Sequence, residues 1–107
     1  MSDASARRER ETVVLINTFM VPGAMEDAFL QWWRIMKPLF AMQPGFVSAK
    51  LHRSLDQGER YRFVNIAEWE STEAYRHGLS AVWSAAPKPG IPGLDWRPAL
   101  YEVIEEA

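Results

Sequence analysis

The chain has 107 residues, the size of one domain, and 48% of them are hydrophobic, enough to form a core. Acids and bases are interspersed to a net charge of −2, which excludes the concentrated basic surface that nucleic-acid binding needs. The absence of cysteine excludes disulfides, thiolate metal sites and thiol catalysis, and no apolar run approaches the roughly 18–20 residues of a membrane span.

Residues 1–11 are polar, mix Arg7, Arg8 and Arg10 with acids, and contain no apolar stretch of the kind a secretory signal has. They read as a flexible tail ahead of a single domain over residues 12–107, with a cytoplasmic location expected.

Thr12 to Val21 is rich in β-branched residues and predicts a first strand, which Pro22-Gly23 ends with turn chemistry. From Ala24 the period changes. Met25, Phe29, Trp32, Met36 and Leu39 recur at three- and four-residue steps and predict one face of a helix. Glu26 and Asp27 suit its first turn, and Pro38 predicts its end or a kink near Lys37, because proline removes an amide donor. The adjacent Trp32 and Trp33 point in different directions on such a helix, so at least one is expected to meet the loop or a partner subunit.

Gln43-Pro44-Gly45 is a turn into a second strand, Phe46 to Ser54. Asp56-Gln57-Gly58-Glu59 then predicts a hairpin into a third, Tyr61 to Trp69. There the alternation is strict: Tyr61, Phe63, Asn65, Ala67 and Trp69 share one face, Arg62, Val64, Ile66 and Glu68 the other.

Ser71 is a predicted N-cap for a second helix running to about Ala85, with Tyr75, Leu79, Val82 and Trp83 inward and Gly78 a local weakness. Pro87 to Pro98 holds four prolines and two glycines and reads as a structured loop, and Ala99 to Ile104 as a short last strand.

The predicted order is β-α-β-β-α-β, the α+β ferredoxin-like fold: an antiparallel sheet with two helices on one face. The strands carry apolar residues on both faces, as Val13 and Leu15 do opposite Val14 and Ile16. The face without helices then needs a cover, and a second copy of the chain is the simplest one.

Three stretches carry a resemblance: INTFMVPGAMEDAFLQWW, QPGFVSAKLHRSLD and, most specific, YRFVNIAEWESTEAYRHGL. In this order they resemble the antibiotic biosynthesis monooxygenase family. The resemblance covers about residues 12–80 and implies a dimeric α+β barrel closed by two sheets packed face to face. One branch of that family oxidises phenolic or anthrone intermediates with O2, without metal, flavin or haem. Its substrate-contacting asparagine, tryptophan and tyrosine match Asn65, Trp69 and Tyr75 in order and spacing. An arginine of that branch falls near Lys88 to Pro89, where this chain has only a lysine, a departure that implies a different substrate. A second branch degrades haem and uses an asparagine that Asn17 matches. The further tryptophan and the histidine ligand of that branch have no counterpart near Gly78 or at Ala86 to Lys88.

Asn65 and Trp69 lie on one side of the third strand with small Ala67 between them, which leaves a gap for a flat ring under Tyr75. Asn17, Phe63 and Trp32 are expected to complete an apolar, aromatic-walled small-molecule site. His52 shares strand parity with Phe46, Ser48 and Lys50, which allows it to face the same site. His52 and His77 are the side chains that titrate near neutrality unperturbed, and they are the candidate iron ligands if the group bound is haem. The reading is therefore a cofactor-independent oxygenase acting on a phenolic small molecule. Haem binding and ligand binding without turnover are its alternatives.

Overall fold

The computed structural model describes residues 12–86 and 88–107. The tail expected at residues 1–11, with its three arginines, lies outside the described residues. Strand β1 (Val13–Met20) leads through a single 3-10 turn at Gly23–Met25 into helix α1 (Glu26–Ala41). Strands β2 (Phe46–Arg53) and β3 (Phe63–Trp69) form a hairpin, followed by helix α2 (Thr72–Ala85) and strand β4 (Asp95–Tyr101). The sheet order is β2-β3-β1-β4 with every neighbouring pair antiparallel, the ferredoxin-like α+β fold.

Local chemistry accounts for most boundaries. The Ser71 hydroxyl accepts from the Ala74 amide at 3.0 Å and starts α2, a cap worth about 1 kcal/mol. Gly45 adopts φ +86°, and a Cβ there would stand 2.5 Å from the Ala74 Cβ, so the turn into β2 has room only for glycine. At the hairpin, the Asp56 carboxylate accepts from the Gly58 amide at 2.9 Å. The Arg62 guanidinium donates to the Ser54 carbonyl at 2.6 Å and pairs with Glu26 at 3.2 Å, which ties the hairpin to the first turn of α1. With Arg62 committed to the turn, β3 begins at Phe63, two residues later than the alternation suggests.

Three expectations need correction. Pro38 does not end α1, which continues to Ala41. The one intrahelical bond a proline forfeits belongs to the carbonyl four residues earlier, on Arg34, and Arg34 and Pro38 both lie on the exposed side, open to water. Strand β4 begins at Asp95 instead of Ala99, inside the stretch read as loop. Pro98 is tolerated there because β4 is an edge strand that needs no second hydrogen-bonding partner. Gly78 is not merely a weak point of α2: it is buried under Trp69, and a Cβ there would meet the indole Cη2 at 2.8 Å.

The core occupies the space between the sheet and the helices in two clusters. One gathers Leu15, Ala67, Trp69 and Tyr75; the other gathers Phe19, Val21, Phe29 and Phe63. Ile91 and Leu94, from the loop before β4, pack on the second cluster, so that loop folds against its own domain. The opposite sheet face carries Val14, Ile16, Val64 and Ile66, with Ile66 40% and Tyr101 52% exposed. Among the described residues no helix is long and apolar enough to cross a membrane.

Candidate active site

Between the sheet and the two helices lies an open cavity of about 120 Å³. Its floor is the inward face of β1 and β3: Leu15, Asn17, Asn65, Ala67 and Trp69. Trp32, Trp33, Met36 and Phe40 of α1 form one wall, and Tyr75, Leu79 and Trp83 of α2 the other. Trp96 and Pro98 of β4 close the side.

The polar content is sparse and placed. Asn17 and Asn65 are direct cross-strand partners, so their side chains stand about 5 Å apart on the same face. The amide oxygens of both, and the indole Nε1 of Trp32, are buried without a protein hydrogen-bond partner. Each such group costs about 1–3 kcal/mol when unsatisfied, a large fraction of the about 5–15 kcal/mol that holds a domain folded. All three residues line one cavity, although these particular atoms are themselves shielded from its open space. An amide rotated by 180° keeps its shape and exchanges oxygen for nitrogen, so each asparagine can accept or donate.

Tyr75 is buried, 5.8 Å centroid to centroid from Trp69 in an edge-on arrangement, and burial pushes its phenol above the ordinary value. It therefore stays protonated at neutral pH, where its hydroxyl is able to donate. Trp69 is 1% exposed and fixed by edge contacts with Phe40 and Phe46 as well, so it is a rigid part of the floor. At the side, Trp32, Trp83 and Trp96 stack in series, with centroids 6.5 and 6.2 Å apart and planes inclined by 28° and 18°.

Of the seven residues singled out from sequence, Asn17, Trp32, Asn65, Trp69 and Tyr75 line this cavity, and two do not. Phe63 lies in the core, 1% exposed, its ring 4.8 Å from that of Phe29. His52 is on the other side of the sheet, exposed beside Val64, with its Nδ1 3.3 Å from the Val64 carbonyl oxygen. The cause is a β-bulge. Phe46 faces Trp69 and Ser48 faces Glu68, so Val47 is an extra residue and the parity carried from Phe46 to His52 is inverted. Trp32 and Trp33 both border the cavity, Trp33 toward Phe19 and Trp32 toward Trp83, and both pack on the same core cluster as Ile91 and Leu94 of the loop before β4.

Sequence reasoning missed Trp96, hidden in a proline-rich stretch without periodicity, and Lys37, which borders the cavity from α1. Lys88 is exposed and outside the lining. Neither histidine borders the cavity, so its lining offers no histidine to ligate a haem iron. Among the described residues no group of three or more histidines and acids is placed to hold a metal ion.

Residues 12–85 match the family model described as antibiotic biosynthesis monooxygenase. The chain belongs to this family. Deoxynogalonate monooxygenase of Streptomyces nogalater is 35% identical over 75 residues, 67% of this chain and 58% of that protein. The chain thus spans less than two thirds of the length of that curated relative. Among solved structures, a candidate monooxygenase from Shewanella loihica PV-4 is 36% identical with a TM-score of 0.79, covering 89% of this chain and 96% of that one. SnoaB, a cofactor-independent oxygenase from Streptomyces nogalater, is 25% identical with a TM-score of 0.67, covering 90% and 96%. The heme-degrading protein Rv3592 from Mycobacterium tuberculosis is 26% identical with a TM-score of 0.61, covering 90% and 94%. The family's relatives thus include cofactor-independent oxygenases and haem degraders.

Proposed function

We propose that this protein is a cofactor-independent monooxygenase that oxidises a phenolic or anthrone-like aromatic molecule with O2, working as a homodimer. The observation that carries the reading is the pair of buried asparagines, with the Trp32 indole, among the aromatic side chains that line one open cavity. A planar substrate slides between the helices, and its ring oxygen takes the place of water on the two amides.

An electron-rich phenol or enol, once ionised, passes an electron to O2, and the two radicals combine at the ring carbon as a hydroperoxide. Loss of water then leaves a carbonyl. In balance, one CH2 and one O2 become one C=O and one H2O. The protein's part is to bind the anion, exclude bulk water and hold fixed donors where negative charge develops. Asn65 and Asn17 present amide N–H groups to the substrate oxygen, the Trp32 indole N–H adds a third donor, and Tyr75 supplies a proton as the peroxide breaks. No side chain of the cavity is a base at neutral pH, so the first proton leaves to solvent and the substrate's own acidity governs that step.

The homodimer part of the reading is supported by the apolar sheet face opposite the helices, where Ile66 and Tyr101 are exposed. The test is oxygen uptake by chelator-treated protein with anthrones and naphthols, with water and not H2O2 as the second product, followed by hemin titration. Uptake without additions supports the proposal. A Soret shift with no uptake on any of these substrates replaces it with haem chemistry.

A further inference from the structure

Of the eighteen described residues that border the cavity, Lys37 is the only charged one. No acid stands among them, and the described residues give Lys37 neither an ion pair nor a hydrogen bond. Its neighbours in α1, Met36 at 1% exposure and half-buried Phe40, point inward, while Lys37 itself is exposed. A lysine so placed can lay its aliphatic stem on the apolar rim while its ammonium reaches water. The interior of the cavity offers neutral polar groups, and a ligand that extends to its open side meets a described lining whose one charged residue is positive.

We infer that Lys37 is a specificity-determining residue that receives a carboxylate borne on the emerging end of the substrate. This rests on the cavity being the aromatic substrate site. The substrate class is then an aromatic acid with its oxidisable hydroxyl inward on Asn17 and Asn65 and its carboxylate outward on Lys37. A neutral polycycle of the same size satisfies the asparagines but leaves the cation without a partner, and a cationic substituent is repelled.

The test compares 1-hydroxy-2-naphthoate with its methyl ester, two ligands of the same ring and hydroxyl that differ by one charge. Affinities are measured anaerobically by calorimetry on the full chain, wild type and the variants Lys37→Met and Lys37→Arg. Wild type is expected to bind the acid about tenfold more tightly than the ester, the factor of one partly solvated charge-assisted contact. That advantage shrinks in about 0.5 M salt, because the contact is at the surface. Lys37→Met binds both alike, and Lys37→Arg keeps the preference. Equal binding of acid and ester by wild type, or an undiminished preference in Lys37→Met, overturns the inference. Oxygen uptake on the same pair separates the two readings. Equal affinities with both compounds oxidised remove Lys37 alone, whereas a Lys37-dependent preference without oxidation keeps the acid site and removes the oxygenase. Failure of both ligands to bind overturns both.

Discussion

Asn17 of β1 and Asn65 of β3 are paired directly across the sheet, and both turn toward one cavity with amide oxygens that meet no protein donor. Two such residues in the apolar interior of adjacent strands oppose folding, since β-branched side chains suit these positions better. A site that stabilises an oxygen anion gives them a use.

A trade between stability and activity follows. Asn65→Ala is expected to lower kcat by about 10²–10³, the usual effect of removing one donor to a developing anion. The fold is spared, because no intramolecular hydrogen bond is lost. Asn17→Val is expected to raise stability by about 1 kcal/mol while slowing turnover. Thermal melts and initial rates on the same preparations check both. A variant that melts early, or one with full turnover, contradicts the assignment.

Gly78→Ala is expected to destabilise by about 1–2 kcal/mol, although alanine is the better helix former. The added Cβ would stand 2.8 Å from Trp69 Cη2 and 3.2 Å from the Gln43 Cβ, and Trp69 is held on other sides by Phe40 and Phe46. A fall in the urea midpoint checks this, and a rise contradicts it.

How much of this was readable in advance depended on whether the signal was local. The element order, the Ser71 cap and the facing of Asn65 and Trp69 follow from period and propensity, and all are found in the structure. His52 was misplaced because a one-residue bulge at Val47 leaves no mark in an alternating pattern, yet turns the rest of β2 over. The early start of β4 is a matter of edge pairing with β1, which Trp96-Arg97-Pro98 does not advertise. The row of Trp32, Trp83 and Trp96 joins three distant segments, and only tertiary packing brings them together.

Tyr75 sets the expected pH behaviour. Burial raises its folded-state pKa above the 10.0 of the unfolded chain, so the folded protein retains the proton longer. The stability this represents is whole below pH 10.0 and is lost as pH rises through the folded value. Denaturation midpoints from pH 8 to 11 are expected to fall at the alkaline end less steeply in Tyr75→Phe. For activity, the rate is expected to rise with the ionisation of the substrate. Substrates of different acidity shift the midpoint accordingly, in wild type and Tyr75→Phe alike. A midpoint that stays fixed across substrates points instead to a protein base.

The outer sheet face gives an independent check on assembly. Light scattering is expected to report about twice the 12.3 kDa of one chain. Ile66→Asp, which places a charge on that face and none in the cavity, is expected to give the single-chain mass. A monomeric wild type contradicts the homodimer.

The most direct measurement is oxygen uptake by chelator-treated protein with an anthrone, comparing wild type with Asn65→Ala and with the double variant Asn17→Ala/Asn65→Ala. The account predicts one O2 consumed per quinone formed without any added cofactor, a large loss in the single variant and no further rate above solution background in the double. Uptake that is absent in wild type, or unchanged when both amides are removed, contradicts it.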